Sequence, residues 1–91
     1  MQLRRVVVTG LGALTPIGND VPSFFKGLQA GTSGAGLITH FDTEKFKVKF
    51  ACEVKNFNPE DFFDRKEARK MDPFTQFAMV AADEAINHSG L

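Results

Sequence analysis

The hydrophobic positions near the N-terminus form one short, uninterrupted run. Residues 6–9 read Val-Val-Val-Thr and are followed by Gly10. Such a β-branched run is typical of a strand that is buried on both faces and needs neighbours on every side. The glycine- and proline-containing residues 10–18 then predict a loop.

Two helices are predicted from apolar side chains at helical spacing. The first begins after a cap at Asn19 or Asp20 and ends at Gly31, and its apolar stripe is Val21, Phe24, Phe25 and Leu28. The second begins at Asp72 and Pro73 and runs down to Gly90, with Phe74, Phe77, Ala78, Ala81, Ala82 and Ala85 on its apolar stripe. Because alanine lets another backbone approach closely, we expect the second helix to lie deep in a larger body.

The segment between these helices predicts a turn, a strand and two helix starts. Residues 31–36 predict a flexible turn, and the alternation over residues 46–52 predicts an exposed strand or hairpin arm. Its buried face would carry Phe46, Val48, Phe50 and Cys52. Residues 58–61 predict one helix start, and Asp64 with Glu67 predicts another. These elements provide too few layers to cover the valine run, so we expect the 91 residues to be a fragment of a larger protein.

Composition limits the chain to one small globular domain without an internal boundary. Its 91 residues are 43% hydrophobic and 24% charged, and 11 basic residues balance 11 acidic ones. This balance gives no reason to expect nucleic acid or a membrane surface as a partner. One cysteine excludes an intramolecular disulfide, and with two histidines it cannot complete a four-ligand zinc site. A reducing, cytoplasmic location without metal or cofactor is therefore expected.

The glycines after the valine run resemble a dinucleotide-binding fingerprint, but the pattern is incomplete. Thr15 stands where the third glycine belongs, and Pro16 and Gly18 would disrupt the helix that must begin there. A nucleotide-binding domain is therefore disfavoured, and a structural glycine turn is the preferred interpretation.

The titratable residues that most often carry chemistry favour structural roles here. Cys52 is predicted on the apolar side of a strand without a partner that would lower its pKa, so it behaves as a small hydrophobic residue. His40 lies in a predicted loop, and His88 lies in the last turn of the second helix, where a cation complements the helix dipole. No catalytic residue is predicted in this chain.

One local excess of positive charge stands out, at residues 65–70. Lys66, Arg69 and Lys70 follow i, i+3 and i+4 spacing, which places three cations on one helical face. A solvated face is the general interpretation of such a run. The alternative is a docking surface for an acidic partner, where exposed charges steer encounter and orientation more than they fix affinity.

Taken together, the chain resembles the N-terminus of the beta-ketoacyl-acyl carrier protein synthases, and type II more than type I. The matching stretches are residues 4–12, 16–19, 31–34, 40–42 and 64–72. The most specific of them is the string DRKEARKMD at residues 64–72, of which type I enzymes keep only part.

The resemblance implies the N-terminal part of a thiolase-like fold with alternating α and β layers (α/β), in a cytoplasmic homodimeric acyltransferase of fatty-acid elongation. Such enzymes transfer an acyl group from acyl carrier protein to a cysteine, decarboxylate malonyl-carrier with two histidines and join the two by Claisen condensation. Their nucleophile and catalytic histidines match no residue here, so the chain alone is expected to be inactive. Lys66, Arg69 and Lys70 match positions that face the acidic carrier protein.

Two alternatives remain open at this point. One is a polyketide-type ketosynthase or its chain-length-factor subunit, which the sequence downstream would distinguish. The other is a non-catalytic module that binds an acidic protein, which predicts a self-contained fold of 91 residues.

Overall fold

The first helix has clear signals at both of its ends. The computed structural model describes residues 2–91, and helix α1 spans Val21–Ala30. The Asp20 carboxylate caps α1 by accepting a hydrogen bond of 2.8 Å from the backbone N–H of Ser23. Gly31 ends the helix in the left-handed region, with φ 68°. Both predicted ends are confirmed.

Replacing Asp20 by alanine is expected to lower the free energy of unfolding by about 1 kcal/mol, because the Ser23 N–H loses its acceptor. That same backbone hydrogen bond is the main reason why the pKa of Asp20 lies below its ordinary value. A lowered folded-state pKa stabilises the fold above the unfolded-state pKa, and this contribution is lost as pH falls through the folded-state pKa. Denaturant unfolding of the protein, at neutral pH and at strongly acidic pH, measures both effects.

Asp20→Asn is the matched control, because it keeps an acceptor that does not titrate. The unfolding free energy of Asp20→Asn should stay close to that of the wild type at neutral pH. It should also change less between the two pH values than the wild-type value does. A deficit of Asp20→Ala that is equally large at both pH values would contradict a titrating cap.

The chain then folds into a short antiparallel hairpin. Strand β1 spans Ala35–Leu37 and strand β2 spans Phe50–Cys52, with Gly36 opposite Ala51 in the register. The hairpin prediction is confirmed, but β1 begins within the predicted turn at 31–36, and β2 keeps only the last part of the predicted arm. The predicted burial of Phe46, Val48, Phe50 and Cys52 is wrong for this chain, since all four side chains are exposed.

The C-terminal half contains a short turn and two helices. A 3₁₀ turn spans Pro59–Asp61 after a cap at Asn58, helix α2 spans Arg65–Lys70, and helix α3 spans Pro73–Ser89. Gly90 ends α3 in the left-handed region, with φ 78°. The predicted starts and the end are confirmed, although Asp64 and Asp72 make no side-chain cap hydrogen bond.

Helix α3 carries the small core of the described chain. Gln76 and Val80 are buried, and the backbone of the loop at residues 10–18 lies across the following turns of α3. The predicted close approach at Ala81 and Ala85 is confirmed, because the Gly12 and Gly10 backbones lie against their carbonyl groups. The predicted burial of Phe74, Ala78 and Ala82 is wrong, since these side chains are exposed in the described chain.

The valine run forms no strand in this chain. Val6, Val7 and Val8 are 90%, 70% and 77% exposed, and residues 2–91 supply no neighbouring strand. A strand needs a hydrogen-bonding partner, and here the predicted neighbours are missing. The radius of gyration is 16.7 Å, against about 12 Å for a compact domain of this length. The described chain therefore leaves uncovered much of the surface that its sequence marks as internal.

Candidate functional site

Helix α2 presents the cationic face that the spacing predicts. Lys66, Arg69 and Lys70 are all exposed, and the half-buried Ala68 lies on the opposite side of the helix. Within residues 2–91, neither of the ion pairs involves any of these three side chains. We call the surface formed by Lys66, Arg69 and Lys70 the α2 cationic face. No ion pair within the described chain neutralises this surface, so it is free to contact an acidic partner.

The acidic residues around α2 are distributed so that this face stays positive. Glu67 lies in the first turn of α2, and Arg69 and Lys70 lie in its last turn. This arrangement complements the helix dipole, which favours anions at the N-terminus and cations at the C-terminus. Arg65 pairs with Glu60 across an exposed contact of 3.3 Å. A pair so exposed contributes little to stability. Other contacts must therefore determine the orientation of α2.

The position of α2 depends on aromatic and polar contacts with its neighbours. Phe57 stacks on Phe62 at 5.6 Å between ring centroids, and it meets Phe77 of α3 edge-on at 5.2 Å. These rings join the segment before α2 to α3. The Gln76 amide Nε2 donates a hydrogen bond of 2.9 Å to the Ala68 carbonyl oxygen and so joins α2 to α3 directly.

Cys52 and the two histidines form no hydrogen-bonded catalytic arrangement in the described chain. Cys52 is exposed at the end of β2, beside an open groove of about 560 Å³ that Phe57 and Phe77 also line. His40 Nε2 lies 3.3 Å from a carboxylate oxygen of Glu53, and His88 Nδ1 accepts a hydrogen bond of 3.0 Å from the Leu11 N–H. The exposure of Cys52 corrects the prediction that it is buried. His40 lines the same groove, but among the described residues no hydrogen bond joins the Cys52 thiol to either histidine.

The glycine loop serves packing rather than phosphate binding in this structure. Its N–H groups are directed to α3, because Leu11 donates to His88 and Ala13 donates to a carboxylate oxygen of Glu84 at 2.9 Å. A dinucleotide fingerprint instead directs such groups to a pyrophosphate at the start of a helix. The preferred interpretation as a structural turn fits this geometry.

Two charged residues that organise the chain were not identified from the sequence. The Glu84 carboxylate accepts from Ala13 N–H and also from Val21 N–H at 2.9 Å, so it links α3, the loop and α1. The Lys55 ammonium donates to the carbonyl oxygens of Pro16, Gly34 and Glu53, at 3.2, 2.9 and 3.0 Å. The one available signal for Glu84 was its helical spacing from Ala81, which places a carboxylate on the face that meets the loop.

The described residues offer no further site of the common kinds. Among residues 2–91, no group of three or more His, Cys, Asp or Glu side chains could hold a metal ion. None of the helices in the same range combines the length and the apolar character that crossing a bilayer requires. The α2 cationic face is therefore the candidate functional surface of this part of the chain.

Comparison with known proteins identifies the family. The sequence profile described as "Beta-ketoacyl synthase, N-terminal domain" matches residues 3–91. The chain belongs to the beta-ketoacyl synthase family. Two relatives within this family are both called 3-oxoacyl-[acyl-carrier-protein] synthase 2. The one from Staphylococcus aureus strain COL is 53% identical over 90 residues, which is 99% of this chain. The one from Synechocystis sp. is 48% identical over 91 residues.

Part of a solved ketosynthase structure has the same fold as this chain. The ishigamide ketosynthase/chain length factor is 43% identical, with a TM-score of 0.86 over 97% of this chain and 22% of that chain. The predicted thiolase-like fold of mixed helices and strands is thereby confirmed. The chain spans about a fifth of the length of the curated relatives that it matches, since 22% of each is covered. The docking role of Lys66, Arg69 and Lys70 stays a prediction.

Proposed function

We propose that residues 1–91 are the N-terminal portion of one ketosynthase domain in a 3-oxoacyl-[acyl-carrier-protein] synthase. The observation that carries this proposal is the 53% identity to the Staphylococcus aureus synthase over 99% of the chain. The exposure of the valine run and the open shape of the chain support it, because both leave room for further layers of the same domain. The full-length protein is proposed to work as a cytoplasmic homodimer without a cofactor.

The proposed reaction is a decarboxylating Claisen condensation. An enzyme cysteine thiolate takes the acyl group from its carrier thioester, and the carrier leaves as a thiolate that takes a proton from water. Malonyl-carrier then loses CO₂, and the electron pair of the broken C–C bond forms an enolate that attacks the acyl-enzyme carbonyl. A new C–C bond forms, the cysteine thiolate leaves, and the product is a 3-oxoacyl carrier thioester. Catalytic residues are proposed outside residues 1–91, which contribute scaffold and part of the docking surface.

The activity of the full-length protein tests this proposal. Purified enzyme given acyl carrier thioester and malonyl carrier thioester should release one CO₂ for each 3-oxoacyl product formed. Its intact mass should exceed that of 91 residues. A folded, dispersed protein of 91 residues, or a full-length protein that makes no new C–C bond, would overturn the proposal.

The α2 cationic face is proposed to dock acyl carrier protein. Lys66, Arg69 and Lys70 are exposed, lie on one side of α2 and make no ion pair within residues 2–91. An acidic carrier has to bind, deliver its cargo and leave, and exposed cations suit such a transient contact because they speed encounter at modest affinity.

Reversing charge in the double variant Lys66→Glu/Arg69→Glu is expected to raise the KM of the full-length enzyme for acyl carrier substrates by about tenfold. Attraction becomes repulsion at two positions, and the salt dependence of kcat/KM should flatten because fewer opposite charges remain to be screened. Steady-state kinetics over a range of ionic strength measures both effects. Activity on small thioester mimics should survive, because they bypass the docking surface.

The variant Lys26→Glu/Lys47→Glu is the matched control, because it makes the same change in net charge outside α2. It should leave the KM for carrier substrates close to the wild-type value. Equal losses on carrier substrates and on mimics would indicate structural damage in the α2 variant and remove the docking role.

A second candidate function is a ketosynthase or chain-length-factor subunit of a polyketide system. The similarity to the ishigamide ketosynthase/chain length factor, at 43% identity, favours it as the alternative. The downstream sequence distinguishes the subunits, since a subunit without a nucleophilic cysteine cannot form the acyl-enzyme. A non-catalytic module for an acidic protein is less well supported, because it requires a self-contained fold and the described chain buries little.

A further inference from the structure

Gln76 is a polar side chain held in the core of the described chain. It lies in the first turns of α3 and is only 7% exposed. Its amide Nε2 donates a hydrogen bond of 2.9 Å to the Ala68 carbonyl oxygen in α2. Burial of a polar amide is costly unless its groups are paired, so this hydrogen bond constrains how α2 and α3 meet.

Helix α2 cannot hold its own position. It contains six residues, far fewer than an isolated helix needs to be stable in water, and none of its residues is buried. The pair between Arg65 and Glu60 is exposed and therefore weak. Ala68 is the half-buried residue of α2, and its carbonyl oxygen is the acceptor that Gln76 engages.

The Ala68 carbonyl lies where the C-terminal end of α2 leaves backbone oxygens without helical partners. It also accepts a longer hydrogen bond of 3.3 Å from the Met71 N–H. Gln76 therefore supplies the shorter of two contacts at this oxygen. Because Ala68 and the cations occupy opposite sides of α2, the contact that fixes Ala68 inward also directs Lys66, Arg69 and Lys70 outward.

We propose that Gln76 is a positioning residue for carrier docking: its buried amide sets the orientation of α2 and thereby the direction of the α2 cationic face. This inference rests on the proposed docking function. Gln76 touches no substrate in this role. It acts through the Ala68 carbonyl, so its loss should weaken the use of carrier substrates and leave the chemical step unchanged.

Replacing Gln76 by methionine in the full-length enzyme tests the proposal, because methionine keeps a similar length and removes the N–H donor. The KM for acyl carrier substrates should rise by about fivefold, while kcat and the kinetics on small thioester mimics stay near wild-type values. Amide hydrogen exchange at residues 68–71 should become faster, which reports the loosened end of α2 independently of the carrier.

Val80→Ala is the matched control, because Val80 is the buried apolar residue one turn further along α3, at 8% exposure. It should lower the unfolding temperature and leave the KM for carrier substrates unchanged. A similar rise in KM for Val80→Ala and Gln76→Met would assign the effect to general destabilisation and overturn the proposal. Gln76→Leu, which also lacks the donor and introduces no buried charge, replaces the methionine variant should that protein not fold.

The charge-reversal variant separates the two proposals. A raised KM in Lys66→Glu/Arg69→Glu with an unchanged KM in Gln76→Met would sink the positioning role and leave docking intact. An unchanged KM in both would remove the docking function itself.

Discussion

The variant Gly12→Ala of the full-length protein is expected to lose about 3 kcal/mol of unfolding free energy, because the added methyl group meets backbone atoms that cannot move aside. A Cβ at this position would overlap the carbonyl group of Ala81 and lie 3.0 Å from the Ala85 nitrogen. These are backbone atoms of a continuous helix, so they cannot rotate away as a flexible side chain would. Either the loop must lift from α3, or α3 must bend.

Gly36→Ala is the matched control for this prediction. A Cβ on Gly36, in β1, would meet nothing within 4 Å in the described chain. Its effect should stay within about 0.5 kcal/mol. Denaturant unfolding of both variants measures the difference, and a Gly12→Ala protein as stable as Gly36→Ala would show that the loop does not lie tightly on α3.

Removing the carboxylate in Glu84→Leu is expected to cost about 3 kcal/mol, since two backbone N–H groups lose a charged acceptor together. Ala13 donates to one carboxylate oxygen and Val21 donates to the other. Glu84→Gln should retain roughly half of that stability, because an amide keeps one acceptor oxygen and turns an NH₂ group toward the other donor.

Asp83→Asn provides the comparison for Glu84, because Asp83 is the adjacent acid of α3 and its side chain is exposed. It should change the unfolding free energy by no more than about 0.5 kcal/mol. Equilibrium denaturation of Glu84→Leu, Glu84→Gln and Asp83→Asn gives the order of their unfolding free energies. Equal losses at positions 83 and 84 would mean that net charge, rather than the bridge to the loop, is responsible.

The ends of helices were predictable because their causes are local. Asp20, Asn58 and the glycines after α1 and α3 act on atoms a few residues away, and each was read from the sequence. The family was recognised for a related reason, since the string at residues 64–72 is long and specific.

Burial was not predictable to the same degree, because it depends on residues far away in the sequence or outside this chain. The stripe that contains Phe74 was predicted from periodicity, yet the loop at residues 10–18 covers only its later part, at Ala81 and Ala85, and leaves Phe74 exposed. Gln76 and Glu84 were missed because polar side chains are normally exposed, and their partners lie 8 and 63 to 71 residues away. For the α2 cationic face, sequence spacing was sufficient, because a helix repeats regularly and its charged face requires no partner within the chain.

The uncovered valines also bear on how the proposed enzyme is made. Until the further layers of the proposed domain have folded onto this segment, Val6, Val7 and Val8 keep side chains that residues 2–91 do not cover. Before then, the exposed valine side chains and the unpaired backbone N–H and C=O groups of this segment can associate with other chains. Chaperones that shield these residues should therefore raise the yield of active enzyme.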